Sequence, residues 1–372
     1  MLKRREGKEQ EDRAQEVLKE IDSPVEERKK DYRFEKVLST GSTVLDLCIS
    51  GGRCLEGGIP GGVLMDIFGP SASGKTSLLS EILASAQSQG GETQVQDPEA
   101  RLDEEYARIY GVEIDRKNYY RPDTVTECFE RIQKWNPKNF NVINAAGVDS
   151  LAALSTDLEM GPKGDKMGMR RAKEFSQELR KTARIIANNN WVICCTNQVR
   201  DSDYGEVTPG GKGIPYYASL RLRVGQISTI ERKYKIIGQE EPEEIGRSRA
   251  ARRAERDREK EKGESKELKK AVGIVSKVFI KKSTVDDPYR ECEIYIIFNY
   301  GIDDVRGNLQ YCKDMTGASR YACPDGKDYQ AIEKAIAWVE QNELEKRLKG
   351  NTIDLWNEIE KKFKISRKPK VR

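Results

Sequence analysis

From about residue 37 onward, short apolar runs alternate with longer stretches in which apolar and polar residues are interleaved. Short apolar runs are typical of buried strands, whereas apolar residues spaced three and four apart are typical of helices. The alternation predicts an α/β fold in which a mostly parallel sheet carries helices on both faces. The predicted segments are Val63–Phe68, Ser77–Gln89, Thr93–Gln96, Glu104–Tyr110, Val125–Trp135, Phe140–Val148, Arg170–Asn188, Trp191–Thr196 and Ala218–Val224.

A densely charged segment, residues 239–270, interrupts this alternation. It holds ten acidic and eleven basic residues and no aromatic residue. Such a stretch cannot bury a core, so we expect a projecting helix or a flexible hairpin extension and exclude a strand of the sheet. After it, Gly273–Lys281 and Glu293–Asn299 have the pattern of paired strands that rejoin the sheet.

The two ends of the chain differ from the alternating region, 37–302. Residues 1–36 are rich in charge and carry few apolar positions, which favours an arm that docks on a neighbouring subunit over a solvated helix. Residues 303–372 predict a small C-terminal subdomain made of a polar loop, 312–328, and two amphipathic helices, 329–348 and 351–363.

Composition narrows the possible chemistry. The 372 residues include 66 basic and 62 acidic ones, so the net charge of +4 leaves DNA binding undecided unless the basic residues cluster locally. Histidine is absent, which leaves carboxylates for acid–base work. The eight cysteines form no CxxC pair; Cys312 and Cys323 flank the polar loop, where buried thiols are favoured over a shared metal.

Neither a secretory leader nor a membrane span is visible in the sequence. The first 20 residues contain no apolar core of a signal peptide, and no apolar stretch approaches the roughly 20 residues of a spanning helix. We therefore expect a soluble, cytoplasmic protein with no membrane partner.

The sequence GPSASGKT matches the phosphate-binding pattern GxxxxGK[ST] without a gap and lies between a strand-like and a helical segment. Its glycines let successive N–H groups turn toward phosphate oxygens, and the helix that follows presents its positive end to them. The lysine supplies a charge for the β- and γ-phosphates, and the threonine offers a hydroxyl to Mg²⁺. The eight residues are Gly69, Pro70, Ser71, Ala72, Ser73, Gly74, Lys75 and Thr76.

Two acidic motifs follow strand-like segments. Hydrolysis of a nucleotide needs one carboxylate to orient the attacking water and another to help hold the metal. Asp97-Pro98-Glu99 follows Thr93–Gln96, and Asp149 follows an apolar run in the position expected of a metal-binding aspartate. Gln198, after Trp191–Thr196, is a weaker candidate because asparagine–glutamine pairs are common in turns.

Taken in order, these motifs resemble the RecA family of DNA strand-exchange recombinases. The match extends from about 38 to 224 and continues more faintly through 272–302. It implies a P-loop NTPase fold with a RecA-like core, which binds ATP and Mg²⁺. The segments that carry it include STGS at 39–42, GG at 61–62, DPEARLDEEYAR at 97–108, RPDT at 121–124, VDSLAAL at 148–154, TNQVR at 196–200, GG at 210–211 and YASLR at 217–221.

The resemblance also implies roles for individual residues around the nucleotide. Glu99 matches the family's catalytic glutamate, and Lys75 completes the phosphate site. Gln198 matches the glutamine that senses the γ-phosphate, and Thr76 with Asp149 holds the metal. The adenine contacts fall at Asp103 and Tyr106, and Lys281 and Lys282 are candidates for the lysines that reach ATP from a neighbouring subunit.

The same resemblance implies two DNA-binding loops, about 159–169 and about 200–213. Basic side chains in loops suit contacts with phosphates, and glycines let the backbone approach the strand closely. The candidates are Lys163, Lys166, Arg170 and Arg171 for the first loop, and Arg200, Tyr204, Gly210, Gly211 and Lys212 for the second.

Three features depart from the family pattern. Asn144 and Gly147 stand in the segment before Asp149, where an unbroken apolar strand is usual. The second loop is shorter than usual, and Lys281-Lys282-Ser283 replaces Lys-x-Lys. The sequence therefore predicts a divergent member of the family.

We accordingly expect a DNA-dependent ATPase that polymerises on single-stranded DNA into a helical filament, pairs it with double-stranded DNA and acts in recombination and repair. Two alternatives remain. A hexameric helicase or motor ATPase of the same core fold predicts closed rings, and an ATP-binding DNA scaffold predicts no turnover.

Overall fold

The computed structural model describes residues 33–102, 104–156, 168–202, 205–235, 267–363 and 367. Most of the predicted N-terminal arm and most of the charged insertion therefore lie outside the described residues. The same is true of four candidate site residues, namely Asp103, Lys163, Lys166 and Tyr204.

A nine-stranded sheet forms the centre of the molecule, with the strand order β13-β12-β11-β10-β3-β7-β6-β4-β5. Six neighbouring strands, from β10 to β5, are parallel, and β11, β12 and β13 add to one edge in antiparallel pairs. The strands are β3 (Val63–Gly69), β4 (Thr93–Gln96), β5 (Tyr119–Tyr120), β6 (Ala145–Val148), β7 (Val192–Gln198), β10 (Leu220–Lys235), β11 (Glu267–Ser283), β12 (Glu291–Ile297) and β13 (Gly301–Ile302).

Among the residues that the structure describes, three short antiparallel pairs lie outside this sheet. They are β1 (Val37–Leu38) with β2 (Ile59–Pro60), β8 (Arg200–Ser202) with β9 (Gly205–Val207), and β14 (Tyr321–Ala322) with β15 (Asp328–Tyr329).

Helices cover both faces of the sheet, which confirms the predicted α/β arrangement. On β3, Met65 and Ile67 pack into the cluster that contains α2, whereas Leu64 packs into the cluster that contains α4 and α5. This alternation follows from the opposite directions of successive strand side chains. The helices are α1 (Thr43–Ser50), α2 (Lys75–Ser88), α3 (Glu104–Ile109), α4 (Val125–Gln133), α5 (Gly168–Asn189), α6 (Gly213–Tyr217), α7 (Asp304–Thr316), α8 (Ile332–Gln341) and α9 (Glu345–Phe363).

Strand β6 is shorter than the predicted segment Phe140–Val148, because only Ala145–Val148 is extended and paired. Asn144 lies just before the strand, where its side chain accepts a hydrogen bond from the Glu92 amide at 2.8 Å and donates to the Asn139 carbonyl at 2.7 Å. Gly147 lies under α2, and a Cβ there would come within 3.0 Å of Leu79 and Leu83. Both departures from the family pattern thus have a structural reason.

The exclusion of a strand from 239–270 is wrong at its C-terminal end. Residues 267–270 belong to β11, which pairs with β10 out to the Lys235–Glu267 pair. The charged side chains are tolerated because this ribbon extends beyond the sheet, where Arg232, Lys233, Lys269 and Lys270 are all exposed. A two-stranded ribbon pairs the backbone groups between its strands and leaves the outer ones to water, so neither face has to be buried.

The prediction of a polar loop over 312–328 is wrong in its first part. Residues 304–316 form α7, which begins at the N-cap Asp303 and ends at Gly317 in a left-handed conformation. The predicted helix 329–348 is interrupted at 342–344, between α8 and α9. Helices α7, α8 and α9 pack together around a small apolar cluster centred on Leu309, Val339 and Leu348.

The two cysteines of this region do not form a common site. Cys312 pairs with the Thr352 hydroxyl at 3.5 Å, whereas Cys323 contacts the Ala335 carbonyl at 4.0 Å inside the apolar cluster. Burial raises the pKa of both thiols. In the described part of the chain, no helix is long and apolar enough to cross a membrane.

One buried and two half-buried carboxylates, those of Asp46, Glu81 and Asp304, lie where α1, α2 and α7 meet. Glu81 on α2 accepts a hydrogen bond from the Ile302 amide at 3.1 Å, and burial raises its pKa to about 7. The nearby charges of Asp304 and Asp46 add to this rise. Burial also raises the pKa of Asp46 to about 7, against the opposing hydrogen bonds from Ser39 and Thr40.

The Glu81→Gln variant tests this burial through the pH dependence of stability. Because the pKa in the folded state is raised from 4.5 to about 7, Glu81 contributes stability that is complete below pH 4.5 and is lost as the pH rises through 7. Glutamine has no such dependence. From pH 5 to pH 8, we expect the free energy of unfolding of the variant to increase relative to that of the parent by up to a few kcal/mol.

Denaturant midpoints at the two pH values measure this gain, with the exposed Glu345→Gln variant as the control. An equal difference between variant and parent at pH 5 and pH 8 would contradict the raised pKa.

Candidate nucleotide-binding site

The phosphate-binding loop connects the end of β3 to the start of α2. Gly74 is the N-cap of α2 with φ of 90°, a left-handed conformation that favours glycine. A Cβ at Gly74 would come within 2.2 Å of Ile296 on β12, and one at Gly69 within 1.9 Å of the Val224 carbonyl on β10. The backbone of β10 therefore leaves room for glycine alone at Gly69, whereas at Gly74 the left-handed conformation is the main reason for glycine.

Lys75 is largely buried and turns back into this loop. Its ammonium donates to the carbonyls of Gly69 at 3.1 Å and Pro70 at 2.5 Å. Burial lowers its pKa, and the charges of Asp149 and Glu99 oppose that change. The loop thus holds a cation at its centre, in the position where a phosphate group needs one.

A hydroxyl and a carboxylate meet at the N-terminal end of α2. Thr76 donates to Asp149 Oδ2 at 2.6 Å, and Thr196 on β7 donates to Asp149 Oδ1. Burial raises the pKa of Asp149, the two hydrogen bonds lower it, and the charges of Glu99 and Asp97 raise it further. The structure thus places Asp149 directly after β6 and against the phosphate-binding loop.

These two oxygen ligands fit Mg²⁺. This ion keeps most of its ligands as waters and phosphate oxygens and needs only one or two protein groups. Within the described ranges, no group of three or more Asp, Glu, Cys or His residues is arranged to hold a metal alone. Thr76 and Asp149 would hold the ion, which would offset charge on the phosphates.

Glu99 lies beside this pair because the parallel strands end at the same edge of the sheet. Gln198 is in register with Gly69 across β3 and β7. The Glu99 carboxylate receives hydrogen bonds from Ser150 at 2.5 Å and Gln198 at 3.5 Å, both on Oε1. Arg101 forms an ion pair with its other oxygen, Oε2, at 3.0 Å.

Asp97 anchors the segment that carries Glu99. Its buried carboxylate accepts hydrogen bonds from the Leu102 amide at 2.9 Å and the Tyr119 hydroxyl at 2.6 Å. Arg121 donates to that hydroxyl at 3.1 Å. The pKa of Tyr119 is raised, chiefly by burial and then by its bond to Asp97. Asp97 therefore fixes the turn that presents Glu99.

Tyr106, expected at the adenine, lies on α3 and is 40% exposed. Its hydroxyl is 2.8 Å from that of Tyr110, which is 2.9 Å from the Ser77 hydroxyl on α2. The two rings pack edge to face at 5.1 Å. This chain of contacts ties the exposed face of Tyr106 to the helix that begins at the phosphate-binding loop.

Two of the residues expected in the first DNA-binding loop lie at the start of α5. Arg170 is exposed. Arg171 instead turns inward and donates to the carbonyls of Leu151 and Ala152 at 3.1 and 2.6 Å. The structure therefore places Arg171 against the short 3₁₀ segment Leu151–Ala153, which directly follows Ser150.

The second loop begins where β7 ends. Arg200 is exposed on β8, and Lys212 is exposed before α6. Gly210 and Gly211 have φ of 96° and 67°, and Cβ atoms there would come within 2.4 Å of Ile214 and 2.7 Å of Ala172. The glycine pair is thus needed for close packing on α5 and α6 as well as for its backbone conformation.

The two candidate trans-acting lysines differ in their surroundings. Lys282 donates to the carbonyls of Pro215 and Tyr216 at 2.9 and 2.8 Å, so it holds the end of α6 within its own subunit. Burial and the charge of Arg221 lower its pKa. Lys281 is exposed, with its ammonium 6.0 Å from the Phe279 ring. Of the pair, Lys281 is the one turned toward solvent.

Several residues of the site went unnoticed in the sequence. Thr196 holds the candidate metal-binding carboxylate of Asp149, Ser150 holds the candidate catalytic carboxylate of Glu99, and Tyr119 braces Asp97. Ser150 and Thr196 lie inside the recognised motifs at strand ends, so their positions near the site could have been predicted from the sequence. Tyr119 gave none, because its contact depends on the pairing of β4 with β5.

The loop between β3 and α2, with carboxylates at the ends of neighbouring parallel strands, defines a P-loop protein with a RecA-like α/β core. A family model described as the RecA N-terminal domain matches residues 25–256. This chain belongs to the RecA family.

Curated relatives named Protein RecA extend the similarity over most of the chain. The Thermus thermophilus protein is 31% identical over 314 residues, which cover 83% of this chain and 76% of that protein. The Deinococcus radiodurans protein is 30% identical, with 86% and 79% covered. The Symbiobacterium thermophilum protein is 32% identical, with 84% and 83% covered.

The Thr196→Val variant tests the hydrogen bond to Asp149. Valine keeps the volume of threonine but removes the donor that lowers the pKa of Asp149. The carboxylate then ionises less readily and loses one of its two hydroxyl partners. We expect the Mg²⁺ concentration for half-maximal nucleotide binding to rise roughly tenfold, since partners of metal-binding groups typically contribute that much.

Titration of a fluorescent ATP analogue against Mg²⁺ measures this, and the effect should be larger at pH 6 than at pH 8. The Thr182→Val variant, which removes a buried hydroxyl on α5 that donates to the Glu178 carbonyl, is the matched control. Unaltered Mg²⁺ dependence in Thr196→Val would rule out this role.

Proposed function

We propose that this protein is an ATP-dependent DNA recombinase whose hydrolysis of ATP is stimulated by DNA. The observation that carries this proposal is the meeting of Lys75, Thr76, Asp149, Glu99 and Gln198 at one edge of the sheet. Family membership supports the same assignment.

The residues divide the chemistry between them. Lys75 and the amides of the loop bind the β- and γ-phosphates, while Thr76 and Asp149 hold Mg²⁺. Glu99 orients the attacking water and accepts its proton as the bond to the γ-phosphorus forms. Ser150 fixes the orientation of the Glu99 carboxylate. Because no histidine is required, the mechanism is compatible with the composition.

Gln198 connects the nucleotide to DNA. It contacts Glu99 at 3.5 Å and is two residues before Arg200, the first residue of β8. Its neighbour Asn197 donates to the Pro209 carbonyl at 3.2 Å, on the far side of the same loop. A γ-phosphate that engages Gln198 would therefore act on both ends of the loop that carries Arg200 and Lys212.

The DNA partners follow from this arrangement and from the family. Single-stranded DNA would bind along the two loops through Lys163, Lys166, Arg170, Arg200, Tyr204 and Lys212, and double-stranded DNA would be paired with it. Self-association head to tail would form an open helical filament. Lys281, exposed at the end of β11, is the better placed of the two lysines to reach a neighbouring subunit.

Glu99→Gln tests the catalytic assignment. Glutamine keeps the shape of the side chain but cannot accept a proton, so we expect ATP to bind normally while DNA-stimulated turnover falls at least a hundredfold. Phosphate release with and without single-stranded DNA measures turnover. The exposed Glu105→Gln variant is the control, and wild-type turnover in Glu99→Gln would refute the role of Glu99.

Lys75→Ala tests whether nucleotide binding controls DNA binding. Removing the ammonium from the phosphate loop should abolish the increase in affinity for single-stranded oligonucleotides that a non-hydrolysable ATP analogue causes. Fluorescence anisotropy measures the affinity, and electron microscopy distinguishes filaments from rings. If the parent protein binds oligonucleotides equally well with and without the analogue, the proposed function is wrong.

A further inference from the structure

The Glu99 carboxylate is engaged by donors on both of its oxygens. Ser150 and Gln198 donate to Oε1, and the Arg101 guanidinium lies 3.0 Å from Oε2. The Glu99 side chain is 17% exposed and the Arg101 side chain 79% exposed. Arg101 therefore covers the carboxylate from the solvent side of the site.

The backbone between the two residues turns Arg101 back toward Glu99. Ala100 has a left-handed conformation with φ of 52°, which is uncommon for a residue with a side chain. Asp97 holds this turn at both ends, because its carbonyl accepts from the Ala100 amide at 3.1 Å and its carboxylate from the Leu102 amide at 2.9 Å. The ion pair is thus built on a fixed turn.

The charges around the site favour an Arg101 side chain that can change its partner. Glu99 shares its surroundings with the carboxylates of Asp149 and Asp97, and Lys75 is directed into the phosphate loop. A triphosphate brings several negative charges close to Glu99. A guanidinium on a long, exposed side chain can exchange a carboxylate for a phosphate oxygen at little cost, since it pairs with both groups.

We propose that Arg101 is a positioning residue that restrains Glu99 until nucleotide and DNA are bound. Water activation requires a carboxylate oxygen that is open to the water, and Oε1 already accepts two hydrogen bonds. Oε2 is the remaining oxygen, and Arg101 competes with the water for it. Release of Arg101 from Oε2 then allows hydrolysis. The inference rests on the proposed role of Glu99 as the catalytic carboxylate.

The Arg101→Ala variant tests this restraint. We expect kcat for ATP hydrolysis without DNA to rise about two- to fivefold, which corresponds to the about 0.4–1 kcal/mol of an exposed ion pair. KM for ATP and the DNA-stimulated kcat should change less than twofold, so the stimulation by DNA falls. Arg116→Ala, an exposed arginine before β5, is the matched control and should leave both rates unchanged.

Three further measurements separate restraint from a structural effect. Arg101→Lys retains the charge, so its rate of hydrolysis without DNA should lie between the rates of the parent protein and of Arg101→Ala. Rising salt should increase the DNA-free rate of the parent protein relative to Arg101→Ala, because screening weakens an exposed pair. In the Glu99→Gln background, Arg101→Ala should have no effect, since the restraint acts through Glu99.

The outcomes distinguish this inference from the proposed function. If Glu99→Gln is inactive but Arg101→Ala hydrolyses ATP at or below the parent rate without DNA, the restraint is refuted and the proposed function stands. If Glu99→Gln retains parental turnover, the catalytic assignment fails and the restraint fails with it. A rate increase that persists in the double variant would also overturn the restraint.

Discussion

The hydrogen bond between Thr76 and Asp149 is the contact on which the site depends, because it joins the phosphate-binding loop, which follows β3, to the end of β6, two strands away in the sheet. Its 2.6 Å length requires α2 to lie close to the sheet. Gly147 makes this possible, since Leu79 and Leu83 occupy the space that a side chain there would take. A larger residue would crowd these two side chains of α2, and the start of α2 carries Lys75 as well as Thr76.

The parts of the fold that depend on local pattern could be predicted from the sequence. Strand β4 has its predicted bounds, Thr93–Gln96, and α2 and α5 differ from prediction by only a few residues. The phosphate-binding loop has a fixed spacing, so its strand–turn–helix context follows from eight residues. The candidate carboxylates, too, lie at strand ends, where parallel strands bring them together.

The errors arise where tertiary contacts decide the structure. The last turn of α7, residues 312–316, looked like part of a polar loop because the buried side of the helix is narrow, with Leu309 in the small cluster shared with α8 and α9. Lys282 is one of two candidates for the lysine that reaches a neighbouring subunit, and its contacts with two carbonyls of α6 could not be read from its own sequence motif. The hydroxyls of Thr196 and Tyr119 likewise acquire partners only through sheet order and register.

Two routes of contact lead away from Glu99, and they reach different candidate DNA-binding loops. Through Gln198 the first route enters the loop that begins at Arg200. Through Ser150 the second passes to the 3₁₀ segment Leu151–Ala153, whose carbonyls bind Arg171 at the start of α5. Arg171 thus links the catalytic edge to the helix that follows the first loop. One carboxylate is therefore connected to the start of the second candidate loop and to α5, the helix that follows the first, so a change in its partners has a structural path to both.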